Sequence, residues 1–303
     1  MNIRSPLALC ALLPFAFASA ADSEVRAPAQ IIAEAPDNHW RPADLNNTLY
    51  LDTVEGRVII ELSPLFAPVH TRNIKALARE GFYDGLAVYR VAEGFVAQGG
   101  DLSGEKPIEG AKRSLAAELT LTELAPEAFT AVAGPDGYAP QTGFVRGFPA
   151  ARDPDTDEAW LAHCQGAFAM ARGAELDSGG TEFYIVIGQA QRYLDRNTTV
   201  FGRVLEGMTT LQKLSRGEGP MGMLPQPERN RIERMCVAAD LPEKERVPLQ
   251  VMKTDSESFR ELIAARRHRP EDWFVYRPDY ADVCAVGIPL RAAPELSAQV
   301  SDK

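Results

Sequence analysis

The sequence predicts a mainly β fold, an antiparallel barrel with helices at its ends. Short apolar segments with the composition of strands recur between about residues 45 and 240, and scattered prolines and glycines mark the turns between them. Two amphipathic segments have helical spacing, and they do not alternate with the strands as the helices of a parallel α/β sheet would. With 45% hydrophobic residues in 303, the chain can bury a sizeable core.

A β-hairpin opens the predicted barrel. Residues 48–52 alternate between polar and apolar side chains, and residues 57–62 contain the apolar run Val-Ile-Ile. Glu55 and Gly56 between them are typical of a tight turn. The two segments therefore predict paired antiparallel strands.

The first predicted helix begins at Pro68 and ends before Gly81, since proline favours a first helical turn and glycine follows a last one. Its buried face has members spaced i, i+4, i+7 and i+8. They are His70, Ile74, Leu77 and Ala78. This helix is expected to pack on the sheet.

The remaining strands and a second helix follow along the chain. Residues 86–98 predict two short strands bent at Glu93 and Gly94. A second helix is predicted for residues 206–216, where apolar side chains form a stripe. The further predicted strands are residues 166–170, 182–187, 199–204 and 231–239.

An insert and two terminal segments interrupt or flank this pattern. Residues 102–162 contain proline, glycine and acidic clusters and predict a long loop, with at most a short helix or strand around residues 116–124. Residues 21–44 predict a lead-in segment. Residues 241–303 form a C-terminal extension with one helix, for which Ser258 is the predicted cap.

The C-terminal extension is expected to pack on the barrel, because so short a segment can hardly build its own core. An aromatic strip is the predicted contact. Its members are Trp273, Phe274, Tyr276 and Tyr280.

Residues 1–20 have the features of a cleavable export signal. Arg4 gives a positive start, an apolar run follows, and Ala18-Ser19-Ala20 is a small-residue cleavage pattern. We therefore expect cleavage after Ala20 and a periplasmic or secreted protein. No later run approaches the ~18 apolar residues of a membrane span.

Charge and cysteine content narrow the functional classes. A formal net charge of -10 disfavours nucleic acid as a partner. Neither the cysteine spacings nor the four scattered histidines match a zinc site, so no metal and no cofactor are predicted. We predict a disulfide between Cys236 and Cys284, which would tie the extension to the last barrel strand.

Three sequence blocks carry the most specific information. Residues 81–101 read Gly-Phe-Tyr-Asp-Gly-Leu-Ala-Val-Tyr-Arg-Val-Ala-Glu-Gly-Phe-Val-Ala-Gln-Gly-Gly-Asp. The second block joins residues 166–171 to residues 180–185, and the third joins Tyr193-Leu-Asp to residues 200–204. In this order the blocks resemble the signature of the cyclophilin-type peptidyl-prolyl cis-trans isomerases. The resemblance covers about residues 45–240 and implies an eight-stranded antiparallel barrel capped by two helices.

The resemblance also implies a catalytic site. Arg90 matches the arginine that stabilises the twisted amide, and Gln98 matches the glutamine that holds both this arginine and the peptide carbonyl. Rotation of an Xaa-Pro bond needs a donor aimed at the prolyl nitrogen rather than a nucleophile or a metal. The residues expected to bind substrate, a proline-containing polypeptide, are Phe95, Val96, Met170, Ala171, Phe183, Tyr184, Tyr193 and Leu194.

The chain departs from the family pattern near this site. Tyr89 stands where the family has histidine, Arg172 replaces asparagine, and Glu182 replaces glutamine. Further departures are Tyr184, Tyr193 and Thr198.

Retention of Arg90 and Gln98 favours an isomerase that acts on Xaa-Pro bonds of folding exported proteins. One alternative is a non-catalytic peptide-binding or chaperone module with the same pocket. Another is an assembly protein whose insert and extension form the interface.

Overall fold

The computed structural model describes residues 25–293, so the proposed signal segment, residues 1–20, lies outside the described residues. The α-helices are α1 (Pro28–Glu34), α2 (Pro68–Arg79), α3 (Met208–Lys213), α4 (Glu257–His268) and α5 (Val283–Val286). The strands are β1 (Trp40–Pro42), β2 (Thr48–Thr53), β3 (Gly56–Leu62), β4 (Ala87–Val91), β5 (Val96–Gly100), β6 (Leu121–Thr122), β7 (Thr130–Val132), β8 (Gln141–Val145), β9 (Phe148–Asp153), β10 (Glu158–Leu161), β11 (Ala167–Met170), β12 (Phe183–Val186), β13 (Val200–Glu206), β14 (Ile232–Val237), β15 (Leu249–Met252) and β16 (Leu290–Ala292).

Eight antiparallel strands form the barrel in the order β14-β2-β3-β13-β11-β12-β5-β4. The two edge strands meet where the Ile232 N–H donates to the Leu86 carbonyl at 2.7 Å and the Gly85 N–H donates to the Ile232 carbonyl at 3.0 Å. Helices α2 and α3 add apolar side chains such as Leu77 and Leu211 to the barrel interior. The predicted mainly β, eight-stranded antiparallel barrel is confirmed.

Strand β2 is buried on both of its faces. Leu49 and Leu51 point into the barrel interior, whereas Tyr50 packs outside the barrel against side chains of the C-terminal extension, including Val251. The Tyr50 hydroxyl also accepts a hydrogen bond from the Val247 N–H at 2.8 Å. One face of β2 therefore packs in the barrel interior, and the other packs against the extension, which covers the face that would otherwise meet water.

The lead-in segment and the extension share one sheet. Its order is β1-β15-β16, so strands from opposite ends of the described chain pair with each other. Below this sheet, Trp40 packs in one cluster with Phe144 of the insert and Phe259 of α4. The three segments outside the barrel therefore share a buried core.

Two expectations about the extension are wrong. Trp273 and Tyr276 are 83% and 80% exposed, and only Phe274 and Tyr280 are half-buried, so the four residues do not form a docked aromatic strip. The buried apolar side chains come instead from α4 and β15, since their regular periodicity places apolar groups on one face. The α4 cap is Ser256, whose hydroxyl accepts from the Phe259 N–H at 3.2 Å, and not Ser258.

The insert is a five-stranded antiparallel sheet in the order β6-β10-β9-β8-β7, so the prediction of a long loop is wrong. Its strands have 2 to 6 residues and include four alanines, one glycine and one proline, which are poor strand formers. At Gly143, a Cβ atom would lie 2.7 Å from the Phe129 ring, so glycine lets this ring cover the sheet. In this sheet the strands pack closely through small residues and do not show the alternation of apolar and polar residues from which strands are predicted.

The predicted Cys236–Cys284 disulfide is also wrong. Cys284, at the start of α5, is bonded to Cys164, which precedes β11, and the two Cα atoms are 5.0 Å apart. Cys236 is a half-buried free thiol on β14. Because α5 packs against β8 and β9, the bridge ties the extension to the insert side of the barrel and not to its last strand.

Loss of this disulfide should destabilise the protein measurably. We expect the double variant Cys164→Ala/Cys284→Ala to lose about 2 to 4 kcal/mol of unfolding free energy, because the bridge closes a loop with a sequence separation of 120. Urea denaturation would measure this loss. Cys236→Ala is the control, with a loss below about 1 kcal/mol expected for a half-buried thiol. Equal stability of the double variant and the wild type would contradict the role given to the bridge.

Candidate active site

A pocket of about 170 Å³ opens on the outer face of the barrel, beside β4, β5 and β12. The residues that line it are Arg90, Phe95, Val96, Gln98, Ala171, Arg172, Tyr184, Leu194 and Thr198. The structure therefore brings Arg90 and Gln98 together with five of the predicted substrate-binding residues, namely Phe95, Val96, Ala171, Tyr184 and Leu194.

Three predicted substrate-binding residues do not line this pocket. Phe183 is fully buried in the barrel interior, where its ring packs against Phe168 with centroids 5.3 Å apart. Met170 is 2% exposed and belongs to the same interior cluster, while Tyr193 is 58% exposed and outside the pocket lining.

The alternation of side chains along the strands explains the two buried positions. Successive side chains point to opposite faces of a strand, so Tyr184 lines the pocket when Phe183 points inward. Ala171 likewise reaches the pocket after the inward Met170.

Arg90 is held on one edge by two hydrogen bonds. Its Nη1 donates to Gln98 Oε1 at 2.9 Å, and its Nε donates to the Met221 carbonyl at 2.6 Å. Register places Arg90 on β4 directly beside Gln98 on β5. The guanidinium carbon lies 5.5 Å from the centre of the Phe95 ring. Within residues 25–293 the Nη2 group makes no hydrogen bond, so it remains available as a donor.

The Met221 carbonyl belongs to a loop that packs tightly on β4. The Gly222 carbonyl accepts from the Val91 N–H at 2.7 Å, and Gly222 has a φ of +66°. A Cβ atom on Gly222 would lie 2.6 Å from the Ala92 Cα, so the close approach requires glycine. Sequence reasoning missed this loop because its contribution is a backbone oxygen.

Behind Gln98, two of the departures from the family pattern contact each other. Gln98 Nε2 donates to the Tyr89 hydroxyl at 2.7 Å, and this hydroxyl donates to Oε2 of Glu182. The second carboxylate oxygen of Glu182 is buried and has no hydrogen-bond partner among the described residues. Burial raises the pKa of Glu182 to about 7, and the charge of Asp101 acts in the same direction.

The opposite wall of the pocket is backed by a buried histidine that sequence reasoning missed. His163 Nε2 lies 2.9 Å from the Tyr184 hydroxyl and 3.0 Å from Thr198 Oγ1. Its Nδ1 lies 3.0 Å from Oδ1 of Asp195. The sequence held only an indirect signal for His163: a buried tyrosine hydroxyl such as that of Tyr184 needs a polar partner.

Asp195 accepts several hydrogen bonds behind this wall. Its carboxylate accepts from the His163 N–H at 2.9 Å, from Trp160 Nε1 at 3.2 Å and from Arg192 Nε at 2.6 Å. Burial acts to raise the pKa of Asp195, but the hydrogen bond of His163 and the charge of Arg192 lower it below its usual value. The carboxylate therefore stays charged although it is 9% exposed.

The insert reaches the pocket through Arg192. This guanidinium donates to both oxygens of Asp136 at 3.0 and 3.1 Å, and Asp136 lies in the insert between β7 and β8. Arg192 and the pocket residue Leu194 belong to the same short helical turn. The insert thus supports the turn that forms one side of the pocket.

Comparison with known proteins assigns the family. The model of the cyclophilin-type peptidyl-prolyl cis-trans isomerases matches residues 48–237. A probable peptidyl-prolyl cis-trans isomerase from Brucella suis is 30% identical over 201 residues, which cover 65% of this chain and 86% of that protein. Peptidyl-prolyl cis-trans isomerase B from Bacillus subtilis is 32% identical over 163 residues, which cover 54% of this chain and 86% of that protein.

Among solved structures, a cyclophilin from Hirschia baltica matches with a TM-score of 0.67 and 28% identity, over 84% of this chain and 95% of that one. This coverage extends beyond residues 48–237, so the likeness includes parts of the segments outside the barrel. The chain belongs to the cyclophilin family. It is a peptidyl-prolyl cis-trans isomerase, as the sequence blocks predicted.

Two further observations concern residues 25–293. No helix in this range is long and apolar enough to cross a lipid bilayer. The same range holds no group of three or more histidine, cysteine, aspartate or glutamate residues arranged to bind a metal ion.

Proposed function

We propose that the pocket binds the proline of an extended polypeptide and that Arg90 stabilises the twisted Xaa-Pro bond. Amide resonance gives this bond a rotational barrier of ~18 to 20 kcal/mol. At the top of the barrier the prolyl nitrogen is pyramidal, and its lone pair can accept a hydrogen bond. A fixed donor that meets this nitrogen only in the twisted state lowers the barrier.

The hydrogen bonds of Arg90 are the observation that supports this proposal. Nε and Nη1 are occupied by the Met221 carbonyl and by Gln98, so the guanidinium is held before substrate arrives. Its remaining Nη2 donor is free among the described residues, beside the pocket that Phe95, Val96 and Leu194 line with apolar groups. A donor fixed beside an apolar slot for the pyrrolidine ring is the arrangement that this chemistry requires.

The proposed substrates are proline-containing segments of exported polypeptides that are still folding. Support for export comes from residues 1–20, which have a positive start, an apolar run and the Ala18-Ser19-Ala20 pattern. The Cys164–Cys284 disulfide suits an oxidising compartment. N-terminal sequencing of the protein from a periplasmic extract should begin at Ala21. Recovery from the cytoplasm with residues 1–20 intact would contradict export.

The Phe95 ring is expected to contribute to binding in the ground and transition states alike. Phe95→Ala should therefore raise KM by about tenfold and leave kcat within about twofold, because the ring contact is lost equally in both states. An assay that starts from excess cis peptide, without a coupling protease, would separate the two constants.

Trp273→Ala is the matched control, since it removes an aromatic ring that is 83% exposed and outside the pocket. It should leave both constants unchanged. An unaltered KM for Phe95→Ala would show that proline binds elsewhere.

A further inference from the structure

We propose that Tyr89 and Glu182 are positioning residues of the isomerase: the ionised carboxylate of Glu182 acts through Tyr89 to hold Gln98, and through Gln98 to hold Arg90. Neither side chain lines the pocket. Both are departures from the family pattern, and the structure places them in direct contact. The inference rests on the catalytic role proposed for Arg90.

The hydrogen bonds form one chain with a fixed direction. Ionised Glu182 can only accept, so the Tyr89 hydroxyl must direct its single proton to Oε2. The tyrosine oxygen is then an acceptor for Gln98 Nε2, at 2.7 Å. The amide of Gln98 is thereby oriented with Oε1 toward Arg90 Nη1, at 2.9 Å.

Rotation of the Gln98 amide by 180° would reverse this arrangement. It would place Nε2 against the Arg90 guanidinium, where two donors face each other, and Oε1 against Tyr89. The ionised carboxylate prevents this rotation because it leaves the tyrosine without a proton to offer Gln98. The charge of Glu182 therefore determines which group of Gln98 meets Arg90.

The surroundings of Glu182 disfavour its charge. Burial and the charge of Asp101 raise its pKa to about 7, and its Oε1 has no partner among the described residues. A Cβ atom on Gly100 would lie 2.6 Å from this oxygen, so Gly100 leaves only enough room for the carboxylate.

Other charged or titratable groups lie around this carboxylate. Tyr89 and Arg90 are neighbours on β4, and Asp101 follows β5. Arg113 Nη1 lies 3.6 Å from the Asp101 carboxylate. The pKa of the buried Tyr83 is raised, first by burial and then by the charge of Glu182.

Protonation of Glu182 removes the directing charge. Because a raised pKa means that the folded state holds the proton more tightly than the unfolded chain does, ionisation of Glu182 lowers folding stability as pH rises from about 4.5, the usual glutamate value, through about 7. The same ionisation is what orders the chain from Tyr89 to Arg90. Catalysis should therefore increase as pH rises through about 7, where the last of this stability is lost.

The wild type and two variants, Glu182→Gln and Tyr89→Phe, test this inference in the isomerase assay without a coupling protease, between pH 5.5 and 8.5. For the wild type we expect kcat/KM to rise about tenfold as pH increases through about 7, since a displaced catalytic group can cost up to about 10². Glu182→Gln keeps an oxygen acceptor but cannot ionise, so its profile should be flat. Tyr89→Phe breaks the chain, so its kcat/KM should be about tenfold below the wild type at pH 8 and also flat.

A spectroscopic measurement accompanies the rates. In the wild type, the ¹⁵N resonance of Arg90 Nε should shift with pH at the same midpoint as kcat/KM. In Glu182→Gln it should not change with pH. Tyr50→Phe is the matched control, because it removes a hydroxyl that is bonded to the Val247 N–H outside the pocket, and it should keep the wild-type profile.

Several results would overturn the inference: a flat wild-type profile, an unchanged slope in Glu182→Gln, or full activity of Tyr89→Phe at pH 8. Retained pH dependence in Glu182→Gln would assign the titration to another group. These results would leave the role of Arg90 intact, because Arg90→Ala tests that role separately.

Discussion

Replacing Arg90 with alanine should lower kcat/KM by roughly 10² to 10³ fold, the effect of removing one transition-state donor. The fold should persist, because Arg90 lies at the pocket and its side chain, among residues 25–293, bonds only to Gln98 and the Met221 carbonyl. Lysine should not restore activity. Its single ammonium group cannot bond to both acceptors while another N–H faces the substrate.

The measurement is the uncoupled isomerase assay with circular dichroism as the check on folding. Arg234→Ala is the matched control, since Arg234 is a strand arginine that pairs with Asp52 rather than with a pocket residue. It should keep the wild-type rate. If Arg90→Ala were as fast as the wild type with an unchanged spectrum, the mechanism would be wrong, and the pocket would act without this donor.

The largest expected stability effect belongs to Asp195. Asp195→Asn should cost about 3 to 5 kcal/mol of unfolding free energy, because it removes a buried charge that pairs with Arg192 and His163. The new amide group would also face donors that now point at Oδ1 and Oδ2. The wall formed by Tyr184 and Thr198 should loosen with it, since His163 would face a neutral amide in place of a carboxylate.

Urea denaturation at several pH values would measure this effect and its sign. The folded pKa of Asp195 is below its usual value, so its contribution is present above that usual value and is lost as pH falls through the lowered pKa. The difference between variant and wild type should therefore shrink in acid.

Asp136→Asn is the comparison variant, because Arg192 would keep Asp195, and a smaller loss of about 1 to 3 kcal/mol is expected. Equal losses for the two variants, or a difference that does not change with pH, would contradict the role assigned to Asp195.

The barrel and the centre of the site could be predicted from sequence because their signals are local. Residues 81–101 contain Arg90, Phe95, Val96 and Gln98 within two neighbouring strands and the turn between them, so one continuous block specifies nearly half of the pocket lining. Deciding which side chains of a strand face the pocket required the strand register. The assignments of Met170 and Phe183 to the pocket failed because a shift of one residue moves a side chain to the other face.

The supporting parts of the site could not be predicted because they depend on contacts between distant segments. Asp136 lies between β7 and β8, and His163 follows β10; they meet Arg192 and Tyr184 only in the folded chain. The disulfide of Cys164 has the same origin, since the three cysteines outside the proposed signal segment gave no local basis for choosing a pair. Long-range pairing leaves no periodic pattern in the sequence.

Exchange spectroscopy on a proline peptide most directly tests the claim that this pocket catalyses Xaa-Pro rotation. With a catalytic amount of the wild type, cis-trans exchange peaks should appear on a timescale of less than a second, although the uncatalysed bond takes tens of seconds or more. Resonances of Arg90, Gln98 and Tyr184 should shift as the peptide binds. Shifts at these residues without accelerated exchange would contradict the account, because the pocket would then bind proline without catalysing its rotation.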